Sequence, residues 1–295
     1  MPEILINDNG KICAPEEAKV SALDRGFLYG DSLYEVFRAE PDFITRMPEH
    51  LNRLFVSAKL CRMTLSQSTE EFETQLQNTL RQFHETYPHI PHVYLRLIVS
   101  RGKSKIGFGK NMVESITQYW IIAKELPLPN NDAVNKGARL QISSRVRNHP
   151  KALDPAMKSG NYLNNLLAYL EAEEMGFDDA LLCNQEGHIT EGTTFNIFYL
   201  RRGILATPPL DIGILDGITR KDVIKTARSL GYEVREIRFS TDHLKSADEI
   251  FITSTIKEVF PVVQIDEKII SDGKPGKETL RLRKEYIKWM NSLRI

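Results

Sequence analysis

Three kinds of group in this sequence have the type and setting to do chemistry: a lysine amine, a glutamate carboxylate, and backbone and hydroxyl donors at helix and strand ends. Lys158 lies in Pro155-Ala156-Met157-Lys158-Ser159-Gly160-Asn161-Tyr162. Leu163, Leu166, Leu167 and Leu170 follow at helical spacing, so Lys158 is expected at a helix N-terminal end, beside apolar walls. Desolvation and the positive end of a helix both favour the neutral amine, the form that Schiff-base chemistry requires. A solvated lysine at a helix start satisfies the same pattern. Glu191, in Ile189-Thr190-Glu191-Gly192-Thr193-Thr194, sits between an apolar strand and a glycine. A carboxylate there could hold a proton on a heterocyclic ring nitrogen, or be an ordinary turn glutamate.

The remaining candidates are anion ligands. Leu215-Asp216-Gly217-Ile218-Thr219-Arg220 opens a helix, and the N–H groups of Ile218 and Thr219 would be unpaired there. Such a terminus attracts phosphate through donors and dipole together, unless Thr219 is simply the helix cap. Thr253, Ser254 and Thr255 offer hydroxyls at a strand end. Arg53, between Leu51 and Phe55, is either a bidentate phosphate ligand or a surface arginine. Singly none of these is decisive. Together they supply an amine, a counter-ion for a ring nitrogen and three pieces of a phosphate cup, the set of handles that pyridoxal 5′-phosphate needs. Cys13, Cys61 and Cys183 are scattered without CxxC spacing, so neither a metal site nor a disulfide framework is expected.

The order and context of these residues resemble the class IV (fold type IV) pyridoxal-phosphate enzymes: branched-chain aminotransferases, D-amino-acid aminotransferases and aminodeoxychorismate lyases. The likeness runs from Asp24-Arg25-Gly26-Phe27-Leu28-Tyr29-Gly30-Asp31 to Pro261 and is most specific at Lys158–Asn164. It implies an α+β (mixed α/β) fold of two domains, like that of the D-amino-acid aminotransferases. It further implies a homodimer whose active sites lie between the domains and are completed by a loop of the neighbouring subunit. By the same resemblance Lys158 is the catalytic Schiff-base lysine and Glu191 the partner of the pyridine nitrogen. Tyr162 lies near the phenolic oxygen, with Arg53, Gly217, Ile218, Thr219, Ser254 and Thr255 around the phosphate.

Within the family, Lys158–Tyr162, Tyr94-Leu95-Arg96 and Arg38 are similar to the branched-chain group. That likeness places Tyr29, Tyr34, Arg38, Tyr94 and Arg96 in the substrate pocket. Val36 stands where that group usually carries glycine, and Ser254-Thr255-Ile256 replaces its Gly-Thr-Ala. Both features look more like the D-amino-acid enzymes, which trap a carboxylate with Arg-x-His after the strand near His92–Ser100. Here that stretch reads Arg101-Gly102-Lys103, and Arg147-Asn148-His149 comes far later and reads as coincidence. The expected activity is amino transfer between an amino acid, first of all a branched-chain L-amino acid, and a 2-oxo acid such as 2-oxoglutarate. D-amino-acid transamination, pyruvate release from aminodeoxychorismate and non-catalytic binding of a phosphate ligand are the alternatives.

These groups need a scaffold, and the chain of 295 residues is long enough for two domains. Ile4–Ile6 and Lys11–Cys13 flank Asp8-Asn9-Gly10 as a hairpin, and Ser32–Arg38 reads as a strand. A helix follows from Glu49, and Ser68 with Glu71 forms a capping box for the next. Strands are expected near 92–100, 116–124, 138–145, 180–206, 232–239 and 249–253, with helices over 158–175, 217–230 and 277–293. The proline-rich stretch at 126–137 reads as a linker between domains at 1–125 and 138–295, the second carrying the lysine. Lys and Arg number 39 against 39 Asp and Glu, so no broad field for nucleic acid or an anionic membrane surface is expected. No apolar run approaches the ~18 residues of a membrane span. The polar start is unlike a signal peptide, and a cytoplasmic location is the expectation.

Overall fold

The computed structural model describes residues 3–294, with Lys110 by its backbone alone, and divides them into two compact units. The first comprises the chain to Leu128 together with Met157–Asn161. Its strands are β1 (Ile4–Asp8), β2 (Lys11–Cys13), β3 (Ser32–Glu40), β4 (Phe43–Ile44), β5 (Val93–Ser100) and β6 (Gln118–Glu125). They form one antiparallel sheet in the order β2-β1-β6-β5-β3-β4. Asn9 and Gly10 turn the first hairpin with φ of 51° and 93°, the left-handed backbone that Asp-Asn-Gly tolerates. Three helices accompany the sheet: α1 (Arg25–Tyr29), α2 (Met47–Leu60) and α3 (Thr69–Thr86). The Ser68–Glu71 capping box opens α3 as the sequence predicts.

Period-2 alternation gives this sheet two unlike faces. Val93, Leu95, Leu97 and Val99 of β5 are fully buried with Phe37 and Ile121 beneath Leu51 and Leu54 of α2 and Phe72, Leu76 and Phe83 of α3. Each such side chain contributes roughly 1.5–3 kcal/mol on leaving water. The intervening residues share the opposite face, because cross-strand partners point the same way: Tyr34 with Ile98, Val36 with Arg96, Arg38 with Tyr94. That second face carries Tyr34, Arg38, Tyr94 and Arg96, four of the five residues nominated from the sequence for the substrate pocket.

The second unit comprises Pro129–Ala156 and Tyr162 onwards. Its strands are β7 (Ala138–Val146), β8 (Asp179–Cys183), β9 (Ile189–Gly192), β10 (Asn196–Arg201), β11 (Ile204–Thr207), β12 (Glu233–Glu236), β13 (Glu249–Ser254), β14 (Glu258–Ile265) and β15 (Lys268–Ile269). The order is β12-β11-β10-β13-β14-β7-β8-β9, with β15 on β14, and parallel and antiparallel pairs are mixed. The helices are α4 (Asn131–Lys136), α5 (Leu163–Glu174), α6 (Ile218–Ser229), α7 (Thr241–Lys245) and α8 (Lys277–Ser292). Val223 and Ala227 of α6 and Leu282 and Tyr286 of α8 pack with Phe198, Leu205 and Phe251. Ala168 and Ala172 of α5 pack on Ala180 and Leu182. The mixed α/β architecture expected from the sequence is the one observed.

Two expectations need correction. The helix expected from Lys158 starts only at Leu163, because the preceding backbone is used otherwise. Gly160 N–H donates to Ser32 O at 2.8 Å and Ser159 bridges to Leu33, which is strand-like pairing. The leucine stripe is also not the buried face of the helix. Leu163, Leu166 and Leu170 are 64, 49 and 40% exposed, while Asn165, Ala168 and Ala172 face inward. Within the expected linker, Asn130 caps α4 and Gly137 follows its end with φ of 66°, a one-turn element too short for periodicity to reveal. No helix is long and apolar enough to cross a membrane, and no metal-binding cluster occurs among the described residues.

Candidate active site

Lys158 is positioned by strand and helix backbone of the first unit. Its N–H donates to Ser57 Oγ on α2 at 3.2 Å, and its carbonyl accepts from Tyr34 N–H at 3.0 Å. Its Nζ lies 4.3 Å from the centre of the Tyr34 ring, and the Arg96 guanidinium carbon lies 4.2 Å from the same ring. The amine therefore stands against an aromatic surface that also carries the Arg96 guanidinium.

Behind Tyr34, on the helix-covered face, is a buried ionic cluster that sequence reasoning missed. Arg53 forks onto Glu35, Nε to Oε1 and Nη2 to Oε2, both at 2.8 Å. His50, one helical turn before Arg53, meets Glu35 Oε2 through Nδ1 at 2.7 Å. Burial alone would raise the Glu35 pKa, but the charge and hydrogen bonds of Arg53, with those of His50, hold it at about 2. Burial lowers the His50 pKa, helped by the Arg53 and Lys158 charges and against the pull of Glu35. A neutral imidazole donating to an ionised carboxylate is the consistent assignment. Arg53 is thus no surface arginine. Its spacing from His50 was the available signal, since i and i+3 lie on one helix face.

The opposite face of the sheet carries Tyr34, Arg38, Tyr94 and Arg96. Arg38 pairs with Glu40 at 3.4 Å, and the buried Nε of Arg96 and Nε1 of Trp120 lack a hydrogen-bond acceptor among the described residues. Tyr29 is placed elsewhere, on α1, where its hydroxyl accepts from Gly107 N–H at 3.2 Å and its ring meets Phe108. Arg101, at the position where the D-amino-acid enzymes carry their carboxylate trap, is committed to structure. It forks onto Asp31 at 2.7 and 3.0 Å and donates to the carbonyls of Cys61 and Arg62.

In the second unit Glu191 lies on β9, almost fully buried and ringed by donors. Oε1 accepts from Nε and Nη2 of Arg147 at 3.1 and 3.0 Å. Oε2 accepts from Leu215 N–H at 3.0 Å and, more weakly, from Asn196 Nδ2 at 3.4 Å. Asn196 also donates to Leu215 O at 3.0 Å, which ties β10 to the turn entering α6. A Cβ on Gly217 would come within 2.0 Å of Asn196 Oδ1, so this close approach requires glycine. Gly217 is the N-cap of α6, no side chain caps the helix, and its first turn holds no acid. Thr219 is inside the helix, so it is not the cap. Among the other expected ligands, Ser254 Oγ accepts from Lys257 N–H at 3.0 Å, Thr255 lies in the following turn, and Tyr162 is the N-cap of α5. Thr253 Oγ1 is buried without a partner among the described residues. Arg147, Asn164, Asn165 and Asn196 were not foreseen, because the residues that serve a carboxylate from other elements leave no local pattern.

This donor set fits a phosphorylated pyridinium. A buried carboxylate held by hydrogen-bond donors suits a protonated ring nitrogen, and the uncapped, glycine-entered terminus of α6 suits a phosphate. Comparison with known proteins agrees. Residues 32–265 match the family described as Amino-transferase class IV. The branched-chain-amino-acid aminotransferase of Salmonella typhimurium is 33% identical over 94% of this chain and 90% of its own length. A T.th. branched-chain amino acid aminotransferase, crystallised with pyridoxamine 5′-phosphate, superimposes with a TM-score of 0.87 at 35% identity, covering 97% of this chain and 93% of that one. The branched-chain aminotransferase of Thermoproteus uzoniensis with norvaline gives 0.88 at 30% identity, covering 97% and 94%. The chain belongs to the class IV aminotransferases and is a pyridoxal-phosphate-dependent enzyme. Its similar relatives are named for branched-chain amino acids.

Proposed function

We propose that this enzyme transfers the amino group of branched-chain L-amino acids to 2-oxoglutarate, with Lys158 as the residue that carries the cofactor covalently. The observation that carries the reading is the single network joining Glu191, Asn196, Leu215 and Gly217, which couples an acceptor for a ring nitrogen to a phosphate cradle. The bound cofactor supplies an aldehyde carbon for the amino group and an electron-withdrawing ring. Glu191 holds the proton on the ring nitrogen, so that electron withdrawal is kept through the reaction. The α6 terminus at Gly217, Ile218 and Thr219 binds the phosphate, together with Arg53, Ser254 and Thr255. Tyr162 lies at the phenolic oxygen. The Lys158 amine would hold the cofactor through its aldehyde carbon and, when free, would act as the general base that moves the Cα proton of the substrate.

Tyr34, Arg38, Tyr94 and Arg96 orient the substrate from the second sheet face, and Tyr29 contributes from α1. The cationic members suit carboxylates, and Val36, Ile98 and Ile122 between them suit a branched aliphatic side chain. The engagement of Arg101 with Asp31 supports this reading over a D-amino-acid specificity. The functional form is a cytoplasmic homodimer, a reading supported by the exposed Leu163, Leu166 and Leu170 of α5 and by the exposed Ile106 and Phe108, whose loop would complete a neighbouring site. The test is a donor panel with 2-oxoglutarate: L-leucine, L-isoleucine and L-valine against D-alanine and D-glutamate, with pyruvate release from aminodeoxychorismate assayed alongside. Turnover confined to the D-amino acids, or to pyruvate release, would overturn the assignment.

A further inference from the structure

We propose that Arg147 is a positioning residue that fixes the direction of the Glu191 carboxylate, and so determines how well the enzyme recognises the ring nitrogen of its cofactor. The inference rests on the cofactor reading above. Arg147 leaves the end of β7 and spends two of its nitrogens on one oxygen, Oε1, at 3.1 and 3.0 Å. The third nitrogen is gripped separately. Nη1 donates to Asn164 Oδ1 at 3.3 Å and to Asn165 Oδ1 at 3.2 Å, both in the first turn of α5. Those amides are themselves anchored, Asn165 Nδ2 to Thr193 O at 2.6 Å and Asn164 Nδ2 to Val146 O at 3.0 Å. The guanidinium is therefore held as a plate spanning β7, α5 and the strand of Glu191.

Glu191 and Arg147 are 6 and 10% exposed, so the pair is shielded from water and each charge depends on the other. The arrangement is also directional. Oε1 is consumed by the fork, whereas Oε2 carries one short bond, from Leu215, and one long one, from Asn196. Both oxygens accept two bonds, but the Asn196 contact on Oε2 is the long one, so Oε2 is the less engaged acceptor and the one that a ring N–H can take over. Remove Arg147 and nothing else in the ring of donors fixes Oε1, so the carboxylate can swing about its Leu215 bond.

The test compares the affinities of the apoprotein for pyridoxal 5′-phosphate and for its 1-deaza analogue, in which the ring nitrogen is replaced by C–H. Quenching of tryptophan fluorescence reads both. The two probes share the aldehyde and the phosphate, so their affinity ratio isolates the ring-nitrogen contact. The wild type should favour pyridoxal 5′-phosphate by roughly ten-fold or more, the scale of one charge-assisted hydrogen bond. Arg147→Met should bring the ratio close to one, and Arg147→Lys, which keeps charge but not the fork, should fall between. An Arg147→Met ratio equal to that of the wild type, with both affinities lowered together, would overturn the proposal. If that variant does not fold by circular dichroism, Arg147→Lys decides, and an undiminished ratio there overturns it too. A wild type that binds neither probe, or does not discriminate, defeats the cofactor reading itself, a different result from wild-type discrimination that survives in the variants.

Discussion

Glu35 has no water to solvate its charge, and its ionisation depends on Arg53 and His50. Its folded pKa of about 2 lies below the ordinary 4.5, so it contributes stability above pH 4.5 that disappears as pH falls from 4.5 towards 2. The shift corresponds to a contribution on the order of 3 kcal/mol. Glu35→Gln should therefore lower stability at neutral pH and flatten its pH dependence over that window, as read from urea unfolding at several pH values. A variant with the wild-type acid slope would remove Glu35 from this role. At this scale Lys158, Glu191 and Thr219 could be nominated as candidates from their neighbours, each beside an ordinary structural reading, and only their combination pointed to one cofactor. Arg147 was not legible. Its role comes from meeting a carboxylate 44 positions later, and only the folded strands create that meeting.

The elements bring anion-binding geometry that no single side chain has. The turn into α6 works because Gly217 lets Asn196 press against the helix start, joining the Glu191 network to the first-turn N–H groups. Gly217→Ala should force Asn196 away, destabilise the fold by about 1–3 kcal/mol in thermal unfolding and weaken cofactor retention in dialysis. Thr219→Val should weaken retention while leaving the unfolding midpoint nearly unchanged. Retention at the wild-type level in both variants would argue against this terminus as the phosphate site. Glu249 does comparable work for α8, accepting from the N–H groups of Glu278 and Thr279 and from the Thr279 hydroxyl. Glu249→Ala should cost about 1–2 kcal/mol of stability, measured by thermal unfolding. Long periodic elements such as α2, α3 and α8 were readable from apolar spacing. The start of α5 was misplaced because leucines at helical spacing say where a helix exists, not where its first backbone bond forms. Here strand-like pairing of Ser159 and Gly160 holds the chain out of the helix until Leu163.

For the molecule as a whole, the mixed α/β architecture followed from alternating strand and helix patterns, while the apolar face of α5 did not behave as periodicity suggests. A leucine stripe reads as core, yet Leu163, Leu166 and Leu170 face outward, as residues reserved for a second copy of the chain would. Leu166→Glu should yield monomers in sedimentation experiments, and an unchanged mass would remove α5 from the subunit interface. Above every other expectation stands the covalent role of one amine. Borohydride reduction of the enzyme purified with its cofactor, followed by peptide mapping, tests it most directly. The expected product is a single phosphopyridoxyl group on Lys158, and a label on a different lysine, or none, would contradict that covalent role.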